Sequence, residues 1–191
     1  MSKFVLFLLL AAMNTGLMAS VPLTAAEIPV HISATSKWLI VDKSNWKASK
    51  IEVSIKKADG TILIQEDINE SKKYNLKNLP VGSYTLELED AQQVRIQNLE
   101  VSRDMMYSTN ITTVYKPHLI FNTDNVAMNL MTQGHSATVT ITNSEGKTIF
   151  SENIVDEVSA TRKYNLKDVP AGDYSIQVYI AGQQFSKSFS K

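Results

Sequence analysis

Three histidines, His31, His118 and His135, are the side chains of this sequence that best suit acid–base or metal chemistry at neutral pH. His31 and His118 each fall at the start of one of two similar segments, which favours repeated structural positions over a catalytic pair. The chain contains no cysteine, so no thiolate can complete a metal site or act as a nucleophile. We therefore expect no catalytic residue and no metal ligand among the histidines.

Acidic and hydroxyl side chains do not form a catalytic pattern either. The segment 122–125 offers oxygen ligands but lacks the glycine and the distal glutamate of a calcium loop. Glu66 and Asp67, like Asp156 and Glu157, are sequence neighbours, which point to opposite faces of a strand or lie in a loop. No G-x-S-x-G elbow is present in the sequence. The sequence predicts a protein that is not an enzyme and needs no cofactor.

Trp46 is the residue that we single out as a candidate binding residue. Its neighbours Ser44, Asn45 and Lys47 are polar, which favours an exposed ring that anchors a protein interface or stacks on a sugar. Two structural interpretations stay open beside this one: Trp46 caps the open end of its own domain, or it touches the other domain. By contrast, Trp38 precedes an apolar run and is expected in the core.

An internal repeat indicates which elements must position these residues. The segment 73–86 returns ninety residues later as 163–176, and eight of the fourteen positions are identical. Proline and glycine at the second and fourth places of 79–82 predict a type I turn, and apolar residues then recur at every second position, which predicts a strand. The unit of strand, turn and strand is therefore used twice.

Short runs of alternating apolar residues separated by turn residues predict an all-β fold of two tandem Ig-like or fibronectin-like antiparallel β-sandwich units, with almost no helix. Asp59-Gly60 predicts a type I′ hairpin turn, and the segment 144–146 takes the same place in the second unit. The repeat offset grows by four residues after this turn, so we expect a longer loop at 156–160. The predicted strands are 30–33, 38–41, 51–56, 61–66, 73–76, 84–89, 94–101, 107–115, 137–142 and 148–151.

The first residues have the pattern of an export signal. Lys3 is followed by a ten-residue apolar run and then by small residues. We expect a signal peptide over 1–26, with a cut nearer 19–20 as the alternative, then units over 27–116 and 117–191. The protein is expected to act outside the cytoplasm, secreted or on the cell surface, with the periplasm as an alternative. The mature chain is expected to lack an integral membrane segment.

Charge narrows the choice of partner. The chain has 19 basic and 19 acidic residues, so no basic field exists to attract nucleic acid. We expect a protein or a glycan at the cell surface as the partner. No Gly/Ser-rich or Pro-rich linker separates the two units, so we expect them to pack against each other with little freedom.

The second unit carries the motifs Asn-Ser-Glu-Gly at 143–146, Leu-Lys-Asp-Val-Pro-Ala-Gly-Asp-Tyr at 166–174 and Lys-Ser-Phe-Ser-Lys at 187–191. With them, residues 138–191 resemble the C-terminal sorting domain of type IX secretion cargo of the Bacteroidetes. The whole chain also resembles short two-repeat secreted proteins of flavobacteria. The resemblance implies a small β-sandwich, and it implies either a sorting signal for secretion or a surface interaction module.

Overall fold

The structure is a computed structural model, and it describes residues 30–44 and 46–191. All regular structure in these residues is β-strand, and every strand pair is antiparallel. The all-β prediction is confirmed, whereas the expected signal peptide lies outside the described residues. The strands are β1 (Val30–Ser33), β2 (Trp38–Val41), β3 (Ile51–Lys57), β4 (Ile62–Ile68), β5 (Lys72–Asn75), β6 (Gly82–Glu89), β7 (Gln93–Val101), β8 (Met106–Tyr115), β9 (His118–Asn122), β10 (Asn125–Met131), β11 (Ala137–Asn143), β12 (Thr148–Ile154), β13 (Ser159–Asn165), β14 (Asp173–Ile180) and β15 (Gln183–Ser190).

The same strand order is used twice. In the first half, β1-β2-β5 forms one sheet and β4-β3-β6-β7-β8 forms the other, and in the second half the sheets are β9-β10-β13 and β12-β11-β14-β15. The first seven strands therefore match the last seven one by one, in the arrangement of a β-sandwich. β8 is the additional strand, and it extends the larger sheet of the first half.

Alternating side chains build a separate core cluster in each half. In β6 the buried positions are Tyr84, Leu86 and Leu88, and the matching strand β14 buries the equivalent positions. This period of two places one face of each strand between the sheets. Because hydrophobic burial is the main favourable term in folding, these inward faces carry most of the stability of the fold.

Both halves pin the strand that follows the proline with a tyrosine. The Tyr84 hydroxyl donates to the Pro80 carbonyl at 2.8 Å, and Tyr174 donates to the Pro170 carbonyl at 2.6 Å. This is the geometry of a tyrosine corner, in which a side chain ties the start of a strand to the backbone just before it. The corner explains why tyrosine, proline and glycine recur together in the repeat.

The predicted type I turn over 79–82 is misplaced. The hydrogen-bonded turn lies three residues earlier, where the Leu79 N–H donates to the Leu76 carbonyl at 3.1 Å. Val169 and Leu166 form the same bond at 2.9 Å in the second half. Pro80 has no N–H, and its carbonyl already accepts from the Tyr84 hydroxyl. The segment around the proline is therefore held by the tyrosine side chain.

The hairpin at Asp59-Gly60 is present, but the predicted turn type is wrong. Only Gly60 has a positive φ, at 84°, whereas a type I′ turn requires positive φ at both central residues. Gly60 N–H donates to the Lys57 carbonyl, and Lys57 N–H donates to the Thr61 carbonyl, both at 2.9 Å. The loop therefore has three residues and ends on a left-handed glycine that forms a bulge. The second half repeats it with Gly146 at φ 79°.

The longer loop expected at 156–160 is also wrong in part. β13 begins at Ser159, so two of these five residues are strand. The extra length extends the pairing, since Ser159 lies opposite Met131 and Ala160 lies opposite Leu130 in β10. In the first half, β2 and β5 pair over four residues only. Most of the insertion in the second half therefore lengthens the pairing of β10 with β13.

The two halves touch through the outer face of β7 and β8. Val94 and Val114 lie opposite each other there and are almost fully buried. Val114 belongs to the core cluster of the second half, and Ile96 packs against that cluster. The outer face of a sandwich is normally solvated, so its burial at this point shows an apolar contact between the halves.

Candidate functional site

The structure does not bring the three histidines together. All three are exposed, and no group of three or more His, Cys, Asp or Glu residues in the described part of the chain could hold a metal ion. In the first half, His31 of β1 lies opposite Ile40 of β2. In the second half, Ala127 of β10 takes the place of Ile40, and it lies opposite Ile120. His31 and His118 are therefore not equivalent positions of the repeat, contrary to expectation.

Neighbouring carboxylates serve different ion pairs. Glu66 contacts Lys72 at 2.5 Å, and Asp67 contacts Lys50 at 2.7 Å. In the second half, Glu157 contacts Arg162 at 2.5 Å. These pairs do not face one another across a cleft, so they are not arranged as an acid and a base.

A cluster of a glutamate, a basic residue and a tyrosine, with its ion pair present in both halves, was not predicted from the sequence. Arg162 also contacts Glu152 at 2.5 Å, and the Tyr164 hydroxyl donates to Glu152 at 3.1 Å. Burial raises the pKa of Tyr164 well above its ordinary value, and the charge of Glu152 adds to this rise. Lys72 and Glu66 form the matching ion pair in the first half. A basic residue six positions after the glutamate in the first half, and ten positions after it in the second, could have indicated it.

Trp46 is not exposed as its polar neighbours had suggested. Only 7% of the residue is accessible, and it belongs to the core cluster of the first half. The indole N–H donates to Asp90 Oδ2 at 2.7 Å. The Asp90 carboxylate also accepts the backbone N–H groups of Gln92 and Gln93 at 2.7 and 2.9 Å. Burial alone would raise the pKa of Asp90, but these donors hold it below its ordinary value.

Arg95 covers the tryptophan. It lies opposite Leu88 on the inner face of the larger sheet, and its guanidinium carbon is 4.7 Å from the centre of the Trp46 ring, in the range of a cation–π contact. A cleft of about 420 Å³ opens beside this pair. Its lining residues are Trp46, Lys47, Ala48, Asp90, Ala91, Gln92, Gln93 and Arg95. We call it the Arg95 cleft.

The second candidate surface is the free edge of β8. This strand has ten residues and no Lys, Arg, His, Asp or Glu, whereas each other edge strand in the described residues has at least one. Natural proteins place charges on edge strands because an uncharged edge pairs readily with another strand. Near its start, the Met106 N–H donates to the Ala34 carbonyl at 2.9 Å. Exposed Tyr107 and Ile111 follow along the strand.

The hydrogen-bond register shows which groups of β8 point outward. The Lys116 N–H donates to the Gln92 carbonyl at 2.8 Å, so the backbone at this position points toward β7. Hydrogen-bonded positions alternate in an antiparallel pair, so Val114 and Thr112 also direct their N–H and C=O groups inward. Thr113, between them, directs its N–H and C=O groups to the open edge.

No helix in the described part of the chain has the length and hydropathy to cross a membrane. Comparison with protein families matches residues 97–190, slightly under half of the chain, to the family described as "Domain of unknown function (DUF3244)". The match includes the end of β7 and all strands from β8 to β15. No curated protein matches the chain.

Among solved structures, the chain is similar to one titled "Biofilm associated protein - BSP domain". The identity is 16% and the TM-score is 0.28. The match covers 85% of this chain and 29% of the other, so the chain spans less than a third of the length of this structure.

Proposed function

We propose that the protein is an exported, non-enzymatic interaction module of the cell surface, of the adhesive or structural class. Its contact with a partner protein is the addition of a strand to the free edge of β8. The observation that supports this proposal is that β8 has ten residues without an ionisable Lys, Arg, His, Asp or Glu. Main-chain hydrogen bonds would supply affinity, and the alternate side chains would supply specificity.

Thr113→Pro tests the edge. Proline removes the N–H that points to the open edge, while the bonds to β7 through Val114 and Thr112 remain, and proline is accepted at such positions of edge strands. We expect binding of the labelled protein to the cells that produce it to fall on the order of tenfold, because a net hydrogen bond and close approach are both lost. Binding is measured by fluorescence of washed cells.

Thr113→Val is the matched control, since it changes the side chain but keeps the N–H. It should bind cells like the original protein. Circular dichroism must show the same strand content in both variants. Equal binding by the proline variant would contradict strand addition at β8.

Sorting for type IX secretion is the second candidate function, and the motifs of the second half favour it. Deleting residues 174–191 would be a poor test, because it removes β14 and β15 and with them buried Tyr174 and Ile176. A reporter that carries residues 97–191 at its C-terminus is a better one. If the sorting function holds, this reporter should appear in the medium and the same reporter with residues 27–116 should not. Equal export of both reporters would reject it.

A further inference from the structure

We propose that the Arg95 cleft binds the carboxylate of an acidic saccharide, a sugar of the uronate class. This inference is independent of strand addition, because no residue of β8 is among those that line the cleft. It gives the candidate residue Trp46 a role in ligand binding. The ligand would contact Arg95, which the ring supports, and would not stack on the ring itself.

In the part of the chain that the structure describes, the guanidinium of Arg95 has no ion-pair partner. Among the described residues it forms no hydrogen bond and no ion pair, and its Nε atom is buried without an acceptor. A buried donor that stays unpaired costs free energy, so such atoms call for an explanation. The two terminal nitrogens are not among the buried atoms, so an incoming carboxylate would accept from both of them, because the planar fork of arginine matches the two oxygens of a carboxylate.

Asp90 does not take that role. Within the described ranges it is the only carboxylate that lines the cleft, and three N–H groups already donate to it, those of Trp46, Gln92 and Gln93. These bonds direct its oxygens toward the indole and the turn. The arginine therefore remains available, with an added positive charge from Lys47 on the lining.

Trp46 positions the arginine. Its ring lies under the guanidinium at 4.7 Å, which restricts the long side chain to one place before a ligand arrives. The ring is buried, so it does not offer a free face on which a sugar could stack. Preorganisation of this kind lowers the entropy cost of binding.

The remaining lining favours a saccharide over an acidic peptide. Gln92 and Gln93 carry side-chain amides that can both donate and accept, which suits the hydroxyl groups of a sugar. The apolar part of the lining consists of the small residues Ala48 and Ala91 beside the indole, so it has no deep apolar pocket for a peptide side chain. Small-ligand sites typically have volumes of about 300–1,000 Å³, a range that includes the cleft volume of about 420 Å³.

The fold does not require this cluster. At the matching end of the second half, the chain between β10 and β11 has no tryptophan, and Thr132 closes the end by donating from Oγ1 to the Glu157 carbonyl. Since one copy of the sandwich closes without tryptophan, arginine and aspartate, their presence in the other copy calls for a function of its own.

Titration with tetragalacturonate tests the proposal, with neutral galactotetraose as the reference sugar. Trp38→Phe leaves Trp46 as the only tryptophan, so its fluorescence reports on the cleft. We expect saturable binding of the acidic sugar, at least tenfold tighter than the neutral one and weakened by salt. Arg95→Met keeps the apolar contact with the ring and should reduce the affinity at least tenfold. Arg103→Met, at an exposed arginine, is the matched control and should change nothing.

Each other result overturns the proposal. Absence of binding by the folded protein, or equal affinity for the neutral sugar, would reject an acidic saccharide. Equal affinity of Arg95→Met would show that the acidic sugar binds elsewhere. Tighter binding of a tetraglutamate peptide than of tetragalacturonate would assign the cleft to an acidic protein segment instead. Near-unchanged melting temperatures of the variants establish that the comparison is made between folded proteins.

Discussion

Leu86→Ala is expected to lower the free energy of unfolding of the first half by about 2–5 kcal/mol, because it leaves a cavity in a fully buried site. Ile176→Ala is the matched change in the second half, since Ile176 takes the same place in β14 and is also fully buried. If 27–116 and 117–191 are separate units, as we propose, each variant shifts a different unfolding transition. Calorimetry of the two variants and the unchanged protein measures this.

Leu63→Ala is the control for the first of these changes. Leu63 lies in β4 and is exposed, so the same substitution there removes little buried surface and should change stability by less than about 0.5 kcal/mol. A single transition that both core variants lower equally would contradict two units and indicate one cooperative domain. Unchanged stability in Leu86→Ala would contradict the core itself.

Much of the fold follows from sequence because the signals are local. A period of two in β6 and β14 predicts a half-buried strand, and the repeat doubles the evidence for each element. The hairpin at Asp59-Gly60 follows from its glycine, although the turn type does not, because an aspartate fits both a right-handed and a left-handed position. The extension of β13 could not be predicted, since residues 159–161 become a strand only through pairing with β10.

The Arg95 cleft depends on contacts that the sequence does not show. Polar neighbours suggest that Trp46 is exposed, but its loop lies over the open end of the sandwich and the ring enters the core. Arg95 stands in an alternating strand, and its inward position follows only from the register with Leu88. Asp90 shows a weak local signal, because aspartate often accepts backbone N–H groups two residues on in a turn.

Val114→Asp is expected to be the most damaging change between the halves. Val114 is 2% accessible and joins β8 to the second core, so a carboxylate there loses its water without gaining a partner. We expect a loss of about 3–5 kcal/mol, the usual consequence of an uncompensated buried charge. Burial disfavours the charged form of an acid, so the loss should shrink as the pH falls and the carboxyl becomes neutral.

The control is Val158→Asp, the same substitution at a side chain that is 71% accessible, and it should leave stability nearly unchanged at every pH. Calorimetry as a function of pH distinguishes the two variants. If Val114→Asp matched its control at neutral pH, the outer face of β8 would be wet in solution. The apolar contact between the halves at Val114 would then be absent.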